Sequence, residues 1–200
     1  LFGEQVNAMN YALGKDLVDA LYALFIAATY TNTTTTGAVN TTNFTRALIP
    51  IVVAQAFNTR GVPQMNRTLL LNAAAFAALS SDPTIVSLAV NQKPELITSY
   101  TLPELSGIQP IEAINLPTTG NMVGFALTPD AAAIATRLPL DYSTVLPGSS
   151  YGNVQTVTNP DLGISVLKTD FVDHKLGTAN SRIAWMYDGA AGQVASAQLL

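Results

Sequence analysis

The stretch VNAMNYALGKDLVDALYALFIAA, residues 6–28, returns an apolar side chain at Val6, Met9, Leu13, Leu17, Leu21, Leu24 and Ala28. Steps of three and four gather these positions on one face of an α-helix. The spacing predicts a single long helix from Phe2 to about Ala28, lying as a strut across a sheet. Gly14 costs this helix up to about 1 kcal/mol relative to Ala, tolerable where the stripe is packed against a sheet. Asp16 and Asp19 lie three apart on the same helix and read as solvated charges opposite the apolar stripe.

Downstream, 31–42 is a Thr/Asn/Gly loop, followed by an apolar segment from Phe44 to Phe57. That segment ends at Arg60-Gly61 with Pro63 just beyond, a helix stop; Pro50 belongs in its first turn or kinks it. Arg67–Leu71 reads as a short buried strand, and Asn72 as the cap of an Ala-rich helix from Ala73 to Leu79. Ser80–Pro94 reads as loop and Glu95–Leu105 as a short helix broken near Pro103. Strands are expected over Ile108–Leu116 and Met122–Leu127, with a turn at Thr118–Asn121. Thr128-Pro129-Asp130 has the capping Thr, the proline and the first-turn acid of a helix start, so a short helix is expected over Asp130–Ala135. After a Pro/Gly/Ser stretch from Pro147 to Asn159 the chain reads as β: strands over Leu162–Phe171, Arg182–Tyr187 and Gln193–Leu199, a polar loop over Asp173–Asn180, and a break at Gly189. The fold class is α+β, without an internal repeat.

Composition narrows the function. Of 200 residues, 48% are hydrophobic and only 11% charged, against roughly 25% charged in an ordinary soluble domain. Mean hydropathy is +0.30. Two accounts fit: a surface of uncharged Thr, Asn and Gln, or a surface covered by partners. A net charge of −4 with nine scattered Lys and Arg gives no basic stripe for nucleic acid. Cysteine is absent, which removes disulfides, thiolate nucleophiles and thiolate metal sites. The apolar run Leu17–Tyr30 contains Asp19 and is shorter than the roughly 20 residues of a membrane span. The chain opens at Leu1 without a charged leader, which reads as a fragment or processed product. The N-x-[ST] matches at Asn32, Asn40, Asn43 and Asn66 are what chance gives in so Thr-rich a chain.

Enzymatic signals are few. Gly148-Ser149-Ser150-Tyr151-Gly152 matches the nucleophile elbow of serine hydrolases, with Ser150 as nucleophile, Asp161 or Asp170 as the acid and the sole histidine, His174, as base. The elbow requires a helix directly after the serine, and Asn153-Val154-Gln155-Thr156 is a poor helix start. Ser165-Val166-Leu167-Lys168 matches S-x-x-K, but on a strand residues three apart point to opposite faces. His174 cannot build a zinc site alone, and Asp161, Asp170, Asp173 and Asp188 lack calcium-loop spacing. No phosphate or dinucleotide glycine pattern is present. No catalytic, cofactor or metal residue is therefore assigned.

The order of elements resembles the major capsid proteins of tailed bacteriophages, the Hong Kong 97-type shell fold, and particularly the podovirus-like coat proteins. Residues 6–32, with Tyr11-Ala12-Leu13 and Val18-Asp19-Ala20-Leu21, look like the family's spine helix and its exit. Phe44–Leu79, with Gly61-Val62-Pro63 and Arg67–Asn72, is similar to the peripheral domain. Gly124-Phe125-Ala126-Leu127 with Asp130-Ala131 and Ala135-Thr136-Arg137 resembles the axial domain. Gly163-Ile164-Ser165-Val166 and Trp185-Met186-Tyr187-Asp188-Gly189 resemble the closing strands.

The resemblance implies a spine helix and peripheral region over 1–107, an axial region over 108–150, and C-terminal strands over 151–200 returning to the peripheral/axial core. It implies a fold without the N-terminal arm and extended loop that precede the spine helix in the family. It further implies a non-enzymatic virion protein that self-assembles into hexamers and pentamers of an icosahedral shell. Scaffolding and portal proteins would be partners, and the shell would enclose phage or prophage DNA without sequence-specific binding. Such a protein is made in the bacterial host cytoplasm, needs no cofactor or membrane, and ends in the virion capsid. An encapsulin-like compartment is the alternative on the same fold, the Ser150/His174 hydrolase and a receptor-binding or adhesin fragment the alternatives of other classes.

Overall fold

A computed structural model describes residues 2–34, 39–41, 43–91, 101–116, 122–140, 151–159, 164–173 and 175–200. In chain order the elements are α1 (Phe2–Tyr22), α2 (Gln55–Thr59), β1 (Arg67–Leu71), α3 (Ala73–Ser80), α4 (Pro83–Asn91), β2 (Ile108–Glu112), β3 (Gly124–Leu127), β4 (Ala132–Arg137), β5 (Tyr151–Asn159), β6 (Ile164–Asp173), β7 (Thr178–Ala184), β8 (Met186–Ala191) and β9 (Ala197–Leu199). The chain divides into two compact units, one of Asp19–Ala133 with Ala190–Leu200, the other of Leu1–Val18 with Ile134–Gly189.

The first of these units is built on a four-stranded sheet of order β2-β1-β3-β9. Strands β1 and β2 run parallel, joined by a crossover carrying α3 and α4, while β1–β3 and β3–β9 are antiparallel. Strand alternation splits the apolar side chains between two cores. Leu69, Leu71, Ile108 and Ala126 pack with Phe44, Ile49, Val53, Phe57, Phe76 and Leu79. On the opposite face Phe125 lies across from Leu70 and Leu199 in register and packs with Phe25, Tyr30 and Leu116. There the Phe25 ring stacks on Phe125 at 4.4 Å and on Tyr30 at 5.0 Å, and the Tyr30 hydroxyl donates to the Ala131 carbonyl.

Local signals built much of this unit as expected. Asn72 accepts from the Ala75 amide at 2.8 Å, capping α3. Gly61, at φ 70°, closes α2 with the paired bonds of a Schellman turn: Val62 N–H to the Phe57 carbonyl and Gly61 N–H to the Asn58 carbonyl. Pro50 sits at the start of a π-helical turn, Ile49–Ala54, that leads into α2.

Several expectations are corrected. The first helix ends at Tyr22, short of Ala28, because its last bonds tighten to i−3 (Leu24 to Leu21, Phe25 to Tyr22) and turn Phe25 into the aromatic stack. Helix α4 occupies much of the segment read as loop. Its cap is Asp82, whose carboxylate accepts from the Thr84 amide at 2.9 Å, with Pro83 at the first helical position. The helix expected over Asp130–Ala135 is one 3₁₀ turn, Pro129–Ala131, followed by β4. The carbonyls of Asp130 and Ala131, which a helix would need, accept instead from Gln193 and Gly192 N–H. Gly189 lies inside β8, and the break falls at Gly192, where a Cβ would meet the Asp130 carbonyl at 2.2 Å. The expected strand Arg182–Tyr187 is two strands, β7 and β8, parted at Trp185. Residues 101–104 are irregular, while 95–100 and the turn at 118–121 lie outside the described residues.

The second unit contains an antiparallel sheet of order β5-β6-β7 and the β4–β8 pair. Its β5, Tyr151–Asn159, runs through the segment read as a Pro/Gly/Ser loop. Among the described residues of this sheet only Leu167 is buried, so neither face forms a core. Leu17 is likewise the one buried side chain described on α1, with Met9 41% and Tyr11 74% exposed. The stripe predicted from spacing is helical and partly covered: Leu17 is buried, Leu13 and Leu21 are half-buried, and Met9 is exposed. The Tyr187 hydroxyl donates to the Asp16 carboxylate at 2.6 Å, which raises the Tyr187 pKa.

Each unit is assembled from segments distant in sequence. The four-stranded sheet draws β1 from 1–107, β2 and β3 from 108–150, and β9 from 151–200. Hydrogen bonding between strands distant in sequence sets this division, and linear order does not display it.

Candidate functional site

Of the hydrolase candidates, Asp170 alone lies among the described residues. Ser150, Asp161 and His174 lie outside them. Tyr151, directly after the candidate nucleophile, begins strand β5, where the elbow's oxyanion hole needs a helix N-terminus. Asp170, the other candidate acid, accepts from Ser181 Oγ at 2.6 Å and pairs with Lys168 at 3.1 Å. These contacts, the Ser181 bond foremost, lower its pKa. Its chemistry is that of a cross-strand tie.

Ser165 and Lys168 are both on β6, as expected, so their S-x-x-K spacing sends them to opposite faces. Ser165 Oγ lies 2.9 Å from Thr158 Oγ1 on β5. Asp173 accepts from the Lys175 and Leu176 amides in the turn before β7, and Asp188 from the Gly189 amide. Asp16 receives the Tyr187 hydroxyl. Among the described residues no group of three His, Asp or Glu side chains could hold a metal ion, and no helix is long and apolar enough to cross a membrane.

Two arginines of the first unit, Arg67 buried and Arg60 half-buried, have no acidic partner in the bonds they make. Arg67, 3% exposed, donates to the Pro63 and Val62 carbonyls and to Asn58 Oδ1. Arg60 donates to the Ala197 carbonyl and Gln198 Oε1, and the two guanidinium groups lie 5.3 Å and 5.1 Å from the Phe57 ring centroid. Burial works against both charges, and neutral oxygens with the ring's negative face compensate them. They tie the turn after α2 to β1 and β9.

Surfaces stand out more than pockets of chemistry. Large apolar side chains project from both units: Met65 and Ile114 in the first, Tyr11 and Leu176 in the second. The second unit adds a three-stranded sheet with little burial on either face. Sequence reading gave the low charge but missed these locations, because exposure is a property of tertiary packing.

The same architecture is found in phage structures. A structure from Mycobacterium phage Che8 matches 98% of this chain at TM-score 0.61 and 19% identity. The capsid structure of the Cyanophage P-SCSP1u matches 100% of it at TM-score 0.60 and 13% identity. The fold is phage-capsid-like. No family model and no curated protein sequence matches the chain. At these identities the likeness is one of fold, a mixed arrangement of helices and small sheets. The chain spans 61% and 65% of the lengths of the two phage chains.

Proposed function

We propose that this chain is a structural subunit of a phage or prophage virion, copies of which associate into the hexamers and pentamers of an icosahedral shell around DNA. The carrying observation is fold likeness over the whole chain to a phage capsid structure. The uncovered surfaces support it. A subunit ringed by its own copies can leave apolar, uncharged area that a solitary protein would hide. At roughly 25 cal/mol per Å² of apolar area, modest contacts repeated around each subunit accumulate. In this reading the protein has no catalytic, cofactor or metal site. It is made in the bacterial host cytoplasm, meets scaffolding and portal proteins during assembly, and resides in the virion capsid. The proposal keeps a peripheral and an axial region in the Hong Kong 97 sense, with boundaries to be read from proteolytic fragments.

The test is negative-stain electron microscopy of the gene's full-length product, expressed alone and with the neighbouring genes that supply scaffolding. Closed shells or six-fold rings are expected. Uniform monomers under both conditions would overturn the reading.

A further inference from the structure

Strand β8 holds the one Asp-Gly step of the chain, Asp188-Gly189, and no Asn-Gly step occurs in the sequence. These two steps are the ones best set up for an internal reaction. The backbone nitrogen after the aspartate reaches the side-chain carboxyl and closes a five-membered ring. Any residue other than glycine puts a Cβ in the way and narrows the backbone angles that the ring needs.

The local structure favours ring closure in the folded chain. The Gly189 N–H donates to Asp188 Oδ1 at 2.9 Å, which holds the nitrogen beside the carboxyl group it must attack. Asp188 is exposed, so water reaches the ring once it forms. Strands β4 and β8 make a two-stranded sheet, and no residue of either strand is buried. A two-stranded ribbon is marginal by itself, and backbone with few buried contacts opens at low cost. Asp130 is the internal contrast. It is exposed too, but Ala131 follows it, fully buried, and its own carbonyl is held by the Gln193 N–H.

We infer that Asp188 is a modification site, at which the folded chain isomerises to isoaspartate without an enzyme. The Gly189 nitrogen bonds to Asp188 Cγ, and its proton leaves with the carboxyl hydroxyl as water. Water then opens the succinimide. Cleavage of the new Cγ–N bond restores aspartate. Cleavage of the original peptide C–N bond leaves isoaspartate, with the chain running through Cβ and Cγ. No oxidant, metal or cofactor enters the balance. The product carries an extra backbone atom, which displaces the strand alternation beyond Asp188. That shift falls just before Gly192, where a Cβ would already meet the Asp130 carbonyl at 2.2 Å. Ring closure needs only one chain, so it goes beyond the shell-subunit reading and does not rest on it.

The full chain is aged for weeks at neutral pH in water enriched in heavy oxygen, then digested in ordinary water. Each passage through the ring leaves a heavy oxygen on the residue, and electron-transfer fragmentation separates isoaspartate from aspartate. The expected result is label and isoaspartate at Asp188 at least tenfold above Asp130. Asp188→Glu, which would need a larger ring, should carry no label there, and Gly189→Ala should slow labelling at Asp188 severalfold. A difference between Asp188 and Asp130 smaller than tenfold overturns the inference. So does label that appears at Asp188 only when the chain is aged in urea, because strand pairing would then protect the site.

Discussion

Gly124 sits opposite Leu71 in the β1–β3 ladder, so close that a Cβ on it would lie 2.3 Å from the Leu70 carbonyl oxygen. The nearest atoms are backbone and the packed Leu71 side chain, neither of which can swing aside. Gly124→Ala should therefore cost about 3 kcal/mol through forced displacement of β3. Urea denaturation of the variant beside the parent checks this, and a midpoint unchanged within error would contradict the packing described.

Gly14 presents the opposite case. It lies within α1, and a Cβ there would meet nothing within 4 Å. Gly14→Ala should stabilise by up to about 1 kcal/mol, because Ala loses less backbone freedom on becoming helical. A rise in Tm of a few degrees is expected. A fall would mean that the Gly14 face is covered in solution, as it would be between assembled copies.

Asp82 caps α4 and also accepts from the Arg46 amide at 2.9 Å. The Thr84 side chain, hydrogen bonded to the same carboxylate, is the largest influence holding its pKa below 3.8, and the Arg46 and Thr84 amides act in the same direction against burial. A carboxylate whose pKa is depressed by folding stabilises above its unfolded value and loses that contribution as pH falls through the folded one. Asp82→Ala should cost about 1–2 kcal/mol at neutral pH. Below 3.8 the difference from the parent should shrink with each step in acid. A difference that is constant from neutral pH into strong acid would show that the charge is not what caps the helix.

Arg67 is held by its fork geometry as much as by its charge. Arg67→Lys keeps the charge but cannot reach the Pro63 and Val62 carbonyls and Asn58 together, and should lose about 2 kcal/mol. Equal stability of the Lys variant, measured by thermal unfolding, would mean that charge over the Phe57 ring suffices.

What could be read from the sequence followed the range of the forces involved. The Asn72 cap, the Gly61 turn and the 3.6-residue stripe of α1 are local, and their residues announced them. Residues 128–135 carry an equally local helix signal, yet only one 3₁₀ turn forms. The Asp130 and Ala131 carbonyls are taken by Gln193 and Gly192, more than 60 residues away, and no local pattern encodes that competition. Strand β5 was hidden by Gly152, Asn153 and the Pro147-Gly148 pair before it, since its pairing with β6 and not its composition makes it a strand. Asp82-Pro83 was a legible helix start that the polar flanks obscured. The candidate surfaces were legible only as a composition, too few charges for the chain's length; where they lie is a matter of tertiary packing.

The placement of β9 against β3 sets a timetable for biosynthesis. Between β3 and β9 the ribosome must deliver about 70 further residues, which at roughly 5–20 residues per second occupies about 3.5–14 seconds. Throughout that interval the outer edge of β3, with Phe125 and Ala126, has no partner strand on the nascent chain. Polysomes making many copies side by side would hold these unfinished edges near one another, so slowing initiation or adding a holding chaperone should raise the yield of soluble protein more than lowering the temperature after synthesis does.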